Sequence, residues 1–201
     1  DVKSGANRYI TTGVSESKFG LDFHTAKAIF EKRISFPHIN IIGLHMHIGS
    51  QIIRAKPYVL AIKKIVNFVA RLKTENIHIE YLNIGGGLGI IYNDERPQTA
   101  EEFARSILPI LKKAELKIIL EPGRFIVGNA GILVARILYL KRTPLKNFVI
   151  VDAGMNDLIR PSFYGAYHEI LQVEQPAGKK RRAAKYDVVG PICESGDFLA
   201  K

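Results

Sequence analysis

Three apolar runs in the first part of the chain end in the same way. Ile39 to His47 runs into His45-Met46-His47-Ile48-Gly49-Ser50. Ile77 to Ile84 breaks into Gly85-Gly86-Gly87, and Ile118 to Leu120 breaks into Glu121-Pro122-Gly123-Arg124. Stretches of helical period lie between them. Pro57 suits the first turn of a helix, and Ile62, Ile65, Val66, Val69 and Leu72 recur on one face of a helix running to about Lys73. Thr99 with Glu102 makes a capping box. Phe103, Ile107, Ile110 and Leu111 give the helix behind it a buried stripe, and Pro109 is expected to kink or shorten it. An earlier helix is predicted from His24 to Arg33, with Ala26, Ile29, Phe30 and Ile34 on one side. Apolar strands that alternate with helices predict a parallel sheet with the helices outside. In a (β/α)8 barrel the residues just after each strand form the active face. The segment holds only about half of such a barrel.

After Gly131 the character changes. Ile132 to Leu140, Phe148 to Val151 and Tyr186 to Val189 read as short strands without long helices between them. The domain boundary is therefore placed near residue 130, giving 1–130 and 131–201.

Composition limits the alternatives. The 201 residues are 47% hydrophobic, which supports a real core. No apolar run is long enough to span a bilayer, and the opening DVKSGANRY has no signal-peptide pattern. That opening suggests an internal piece of a longer protein. The single cysteine, Cys193, cannot form an internal disulfide and fits a reducing cytoplasm. The net charge of +10 raises nucleic acid as a partner. Its densest run, Lys179-Lys180-Arg181-Arg182 with Lys185 beside it, has few aromatics interleaved to stack bases. It reads as a solvated loop, and no nucleic-acid partner is expected.

Each motif also has a chemistry. Glu121 and Arg124 place a carboxylate and a guanidinium where a buried strand ends. A glycine triplet frees backbone N–H groups to meet phosphate oxygens, although alone it reads as a flexible turn. His45 and His47 are alternate strand residues and share a face. No third ligand stands out, so no metal is expected, and His45 is expected to be a hydrogen-bonded interior histidine. Cys193 leads into Glu194-Ser195-Gly196-Asp197, and Arg160 lies in DLIRPSFYG with Tyr164.

In this order and spacing, HMHIGSQ at 45–51, NIGGGLG at 83–89, LEPGR at 120–124 and GPICESGD at 190–197 resemble the fold-type III pyridoxal phosphate (PLP) decarboxylases. The resemblance covers nearly the whole chain and is closest to their diaminopimelate-specific branch. It implies an α/β fold: part of a (β/α)8 alanine-racemase-like barrel over 1–130, followed by the start of an all-β domain over 131–201. It implies PLP as cofactor, with His47 stacked on the pyridine ring and Glu121 at the ring nitrogen. Ser50, Gly86, Gly87, Gly123 and Arg124 would lie around the phosphate, with Arg124 also near the substrate. A carboxylate at the ring nitrogen keeps it protonated and points to decarboxylation over racemisation. Arg160, Tyr164 and Glu194 would bind the distal end of the substrate. Cys193 would act as proton donor in the neighbouring subunit's site, which makes the enzyme a homodimer with shared sites. The implied reaction converts meso-2,6-diaminopimelate to L-lysine and carbon dioxide. Decarboxylation of ornithine, arginine or carboxynorspermidine, or a non-catalytic homologue that binds partner proteins, remain the alternatives. One part of the pattern is absent: no lysine stands in the early Tyr-Ala-x-Lys-Ala-like context that joins the cofactor covalently. Lys18, in SKFG, matches a different element. The chain as given is expected to be inactive alone.

Overall fold

The structure is a computed structural model and describes residues 18–174 and 184–201. The basic run 179–182 lies outside the described residues. Two compact units divide the chain. One comprises Asp1–Ile91 with Glu95–Ala130, the other Tyr92–Asp94 with Gly131–Lys201.

In the first unit, β1 (Gly43–His45), β2 (Tyr81–Gly86) and β3 (Lys117–Glu121) form a parallel sheet in the order β1-β2-β3. The connecting helices are α2 (Lys56–Thr74) and α3 (Ala100–Leu111), preceded by α1 (Phe23–Glu31). Tyr58, Ala61 and Ile62 of α2 and Phe103, Ile107 and Leu111 of α3 share a core with Leu82 and Ile84. Leu44 and Ile118 pack against it, so one face of the sheet is covered by helices. A second cluster joins Phe30, Phe68, Leu72 and Ile77. Helices α1 and α3 start at side-chain caps, whereas α2 starts after Ala55 with Pro57 in its first turn. Asp22 Oδ1 accepts from Thr25 N at 2.9 Å. The Thr99 hydroxyl and the Glu102 carboxylate close the capping box on each other's backbone N–H. Pro109 is carried inside α3, which passes into a 3-10 turn at Lys112–Ala114.

Several boundaries differ from expectation. The run from Ile39 pairs only from Gly43, because the N–H groups of Glu80 and Tyr81 both converge on the Ile42 carbonyl, and there the ladder begins. Ile77 packs among the α1 and α2 side chains rather than in a ladder, so β2 starts later than its apolar run. Ile34 lies beyond α1 and is exposed. Strand β3 pairs with β2 alone among the described residues, and most of it is exposed rather than buried.

The second unit is a four-stranded sheet in the order β4-β5-β6-β7, from β4 (Ile137–Arg142), β5 (Asn147–Val151), β6 (Asp187–Val189) and β7 (Phe198–Ala200). Val151, Ala153 and Leu199 are its buried centre. The β4-β5 hairpin is pinned by its turn, where Thr143 N donates to Lys146 O at 2.9 Å. Arg142 therefore pairs with Asn147, and β4 lies further along the chain than the apolar run from Ile132. Two short helices had no sequence signal: α4 (Gly123–Val127) and α5 (Ile159–Tyr164). Among the described residues no helix is long and apolar enough to cross a membrane.

Candidate active site

Parallel strands in register put the side chains of paired residues on one face. His45 pairs with Asn83, and Asn83 with Ile119. Glu121, two residues on from Ile119, shares that face. It is the face opposite the helices, and it carries the polar groups. Glu121 Oε1 accepts from Asn83 Nδ2 at 2.7 Å and lies 3.5 Å from His45 Nε2. His45 is thus an exposed neighbour of Glu121 and not an interior histidine.

The glycine triplet meets this group at the strand ends. Gly86 pairs with Glu121, and a side chain at Gly86 would run into the Glu121 backbone. Gly87 has φ +88°, and a side chain there would strike Gly49 and the Tyr58 hydroxyl. The triplet therefore brings three strand ends together whether or not it also meets a ligand. Tyr58, fully buried on α2, donates to Gly86 O at 2.7 Å, and burial pushes its phenol well above the ordinary range. Gly86 N–H points at His47 Nδ1 at 3.4 Å. With Nδ1 accepting, a neutral His47 ring carries its proton on Nε2. Burial lowers the His47 pKa, the nearby Glu121 charge opposes this, and His45 adds to the lowering. Arg124, on α4, donates from Nη2 to Ser50 Oγ at 2.9 Å. His47, Ser50, Gly86, Gly87, Glu121 and Arg124 thus form one group at the C-terminal ends of β1, β2 and β3. Gly123 opens α4 beside them with free space where a side chain would stand. Gln51, at φ +58°, braces the loops by exchanging two side-chain bonds with the Ile90 backbone, at 2.6 and 3.1 Å.

The remaining expected residues lie in the second unit. Cys193 is an exposed free thiol between β6 and β7. The Glu194 carboxylate accepts from Ser195 Oγ at 3.3 Å and Gly196 N at 3.4 Å. Their loop is fastened by Asp197, which is 3% exposed. Its Oδ1 accepts from Met155 N at 2.6 Å and its Oδ2 from Ile192 N at 2.9 Å. Arg160 lies over the Tyr92 ring at 4.4 Å, with Nη1 2.8 Å from His168 Nε2. Tyr164 follows on α5 and meets Phe163 edge to face. Among the described residues no three His, Cys, Asp or Glu side chains form a metal-binding group.

Sequence reasoning passed over Asn83, Tyr58, Asp197, Tyr92 and His168. Asn83 stood inside a quoted motif, and an amide two residues before a glycine break is the one local signal that could have marked it.

The whole chain is 48% identical to a diaminopimelate decarboxylase of Aquifex aeolicus, covering 47% of that protein. It is 44% identical to the one from Pseudomonas aeruginosa, covering 48% of it. The chain therefore spans about half the length of the curated relatives it matches. The crystal structure of diaminopimelate decarboxylase from Helicobacter pylori complexed with L-lysine matches the whole chain with a TM-score of 0.91 and 36% identity, over 49% of its own length. Residues 1–128 match the family model of the pyridoxal-dependent decarboxylases, pyridoxal binding domain. On that match, over the strand ends that gather His47, the glycine turn and Glu121, the chain belongs to the pyridoxal-dependent decarboxylase family.

Proposed function

We propose that this chain is part of a PLP-dependent decarboxylase that converts meso-2,6-diaminopimelate to L-lysine and carbon dioxide. In this reading residues 1–130 are the C-terminal part of its cofactor-binding barrel and 131–201 the beginning of its second domain. The observation that carries it is the grouping of Glu121, His47 and the Ser50–Arg124 pair at the ends of three consecutive parallel strands.

The donor set suits PLP. A guanidinium, a hydroxyl and a glycine turn are the partners a phosphate takes. A carboxylate on the open face of the sheet is the partner a pyridinium N–H takes. When bound, the cofactor supplies an electron sink for the pair left behind as carbon dioxide departs. Glu121 would hold the proton on the ring nitrogen. His47, its orientation set by Gly86 N–H and its neutrality favoured by burial, would cover one face of the ring. Ser50, Gly86, Gly87, Gly123 and Arg124 would bind the phosphate. Arg160, held between Tyr92 and His168, would take the distal carboxylate of the substrate with Tyr164. Glu194 would take the distal ammonium. Ornithine and arginine end in a cation alone, which Arg160 would repel. Cys193 would deliver a proton to the carbon that lost its carboxylate, in the site of a second subunit. An exposed thiol suits a reducing cytoplasm.

Two measurements on the full-length protein test this. Its absorption spectrum should show bound PLP, and a substrate panel should show turnover of meso-diaminopimelate well above that of ornithine, arginine or carboxynorspermidine. Absence of bound PLP overturns the cofactor reading. Preference for a substrate without a distal carboxylate overturns the role of Arg160.

A further inference from the structure

Strand β2 carries one residue more than β3 near its end. Asn83 pairs with Ile119, but the next partners are Gly86 and Glu121, three residues on along β2 against two along β3. Such a bulge leaves a backbone group without its ladder partner and re-aims its neighbours. Here Asn83 Oδ1 accepts the N–H of Gly85, which has φ +71°, at 2.9 Å. The other end of the same amide donates to Glu121 Oε1 at 2.7 Å. These two bonds fix the orientation of the amide. Flipped, it would turn its NH2 towards an N–H and its oxygen towards a carboxylate. An Asn that only capped the bulge would not need its NH2 on Glu121.

We propose that Asn83 is a positioning residue for Glu121. Its NH2 fixes the rotamer of the carboxylate, and its carbonyl ties that carboxylate to the glycine turn. Both ends of the cofactor site, ring nitrogen and phosphate, are then set by one side chain. His45, 3.5 Å from the same oxygen, is the second group on this carboxylate. The proposal rests on the PLP reading above.

The test is a double-substitution cycle in the full-length holoenzyme, with Asn83→Leu, Glu121→Gln and the two combined. The readouts are the equilibrium affinity for PLP and the absorption of the bound cofactor, which reports protonation of the ring nitrogen. Asn83→Leu should weaken PLP binding by about tenfold to a hundredfold, the size of one hydrogen bond to a charged group. It should shift the spectrum in the same direction as Glu121→Gln. The losses in the double variant should be clearly less than additive, because the part of the Asn83 effect that runs through the carboxylate is already gone in Glu121→Gln. Additive losses, or wild-type affinity and spectrum in Asn83→Leu, overturn the proposal. If Asn83→Leu does not fold, Asn83→Asp keeps the shape and the bond to Gly85 N–H. It puts a carboxylate against a carboxylate, and such a pair shares one proton. Its PLP affinity should then fall as pH rises through loss of that proton, a step absent from the wild type; a pH-independent affinity overturns the proposal. A wild-type protein that takes up no PLP overturns the cofactor reading itself. Binding by the wild type with an indifferent Asn83→Leu overturns the role of Asn83 alone.

Discussion

His47 shows how the site's chemistry is tied to its stability. Burial lowers its folded-state pKa, so acid protonates the unfolded chain first. The stability it contributes is complete above the ordinary imidazole value of about 6.5 and is lost as pH falls through the lowered folded value. In the full-length protein, the urea midpoint of the wild type should drop between pH 7.5 and pH 5 by more than that of His47→Gln, which keeps an acceptor for Gly86 N–H. An equal drop in both would remove His47 as the source. At this scale the sequence is legible where a motif names the residue. Glu121 and Arg124 stand out where an apolar run breaks, and the family resemblance implies roles for His47 and Ser50 as well. Asn83 and Tyr58 are not legible, because their roles depend on partners 38 and 28 residues away, which no local pattern reveals.

The loop from β6 to β7 shows what one element asks of one residue. Asp197 closes it by accepting two backbone N–H groups while almost fully buried. Asp197→Asn keeps the shape but replaces one acceptor oxygen with a donor. One of the two half-buried N–H groups then loses its acceptor, at a cost of about 1–3 kcal/mol. Denaturant titration of the full-length variant should show that loss, and Cys193 should react faster with a thiol reagent as its loop loosens. Unchanged stability and unchanged thiol reactivity would show that the loop is held elsewhere. Long elements are legible in the sequence: α2 and α3 from their apolar period, and the start of α3 from Thr99 and Glu102. Helices α4 and α5 are not, because five or six residues carry too little period to stand out. The ends of β1, β2 and β4 are missed because pairing sets them and apolarity does not. The apolar run into β2 begins with Ile77, whose side chain packs on helices.

For the whole molecule the prediction concerns partnership. Cys193 and the residues proposed to hold the cofactor fall in different units of the chain, and the homodimer reading has Cys193 serve a second subunit. Cys193→Ala and a full-length variant without the cofactor-bonding lysine should each be nearly inactive. After subunit exchange, half of the dimers are mixed and each has one intact site of two. Activity should then recover to about a quarter of wild type. No recovery despite demonstrated exchange would mean that Cys193 works within its own subunit. The family and the α/β class are legible from four short motifs, since each sits where a strand gives way to a loop. The exposure of β3 is not, because an apolar run looks the same whether one neighbour strand covers it or two.

The extra residue in β2 also divides that strand into two phases. Up to Ile84 the even-numbered side chains face the helices, as Leu82 and Ile84 do. Past the bulge the count slips by one against β3, so the same parity no longer means the same face. Two relatives can align there without a gap and still disagree about which side of the sheet a residue occupies, if only one of them keeps the bulge. Identity counted letter by letter across residues 83–86 is therefore a poor measure of kinship, and the spacing between Asn83 and the glycine turn is the better one.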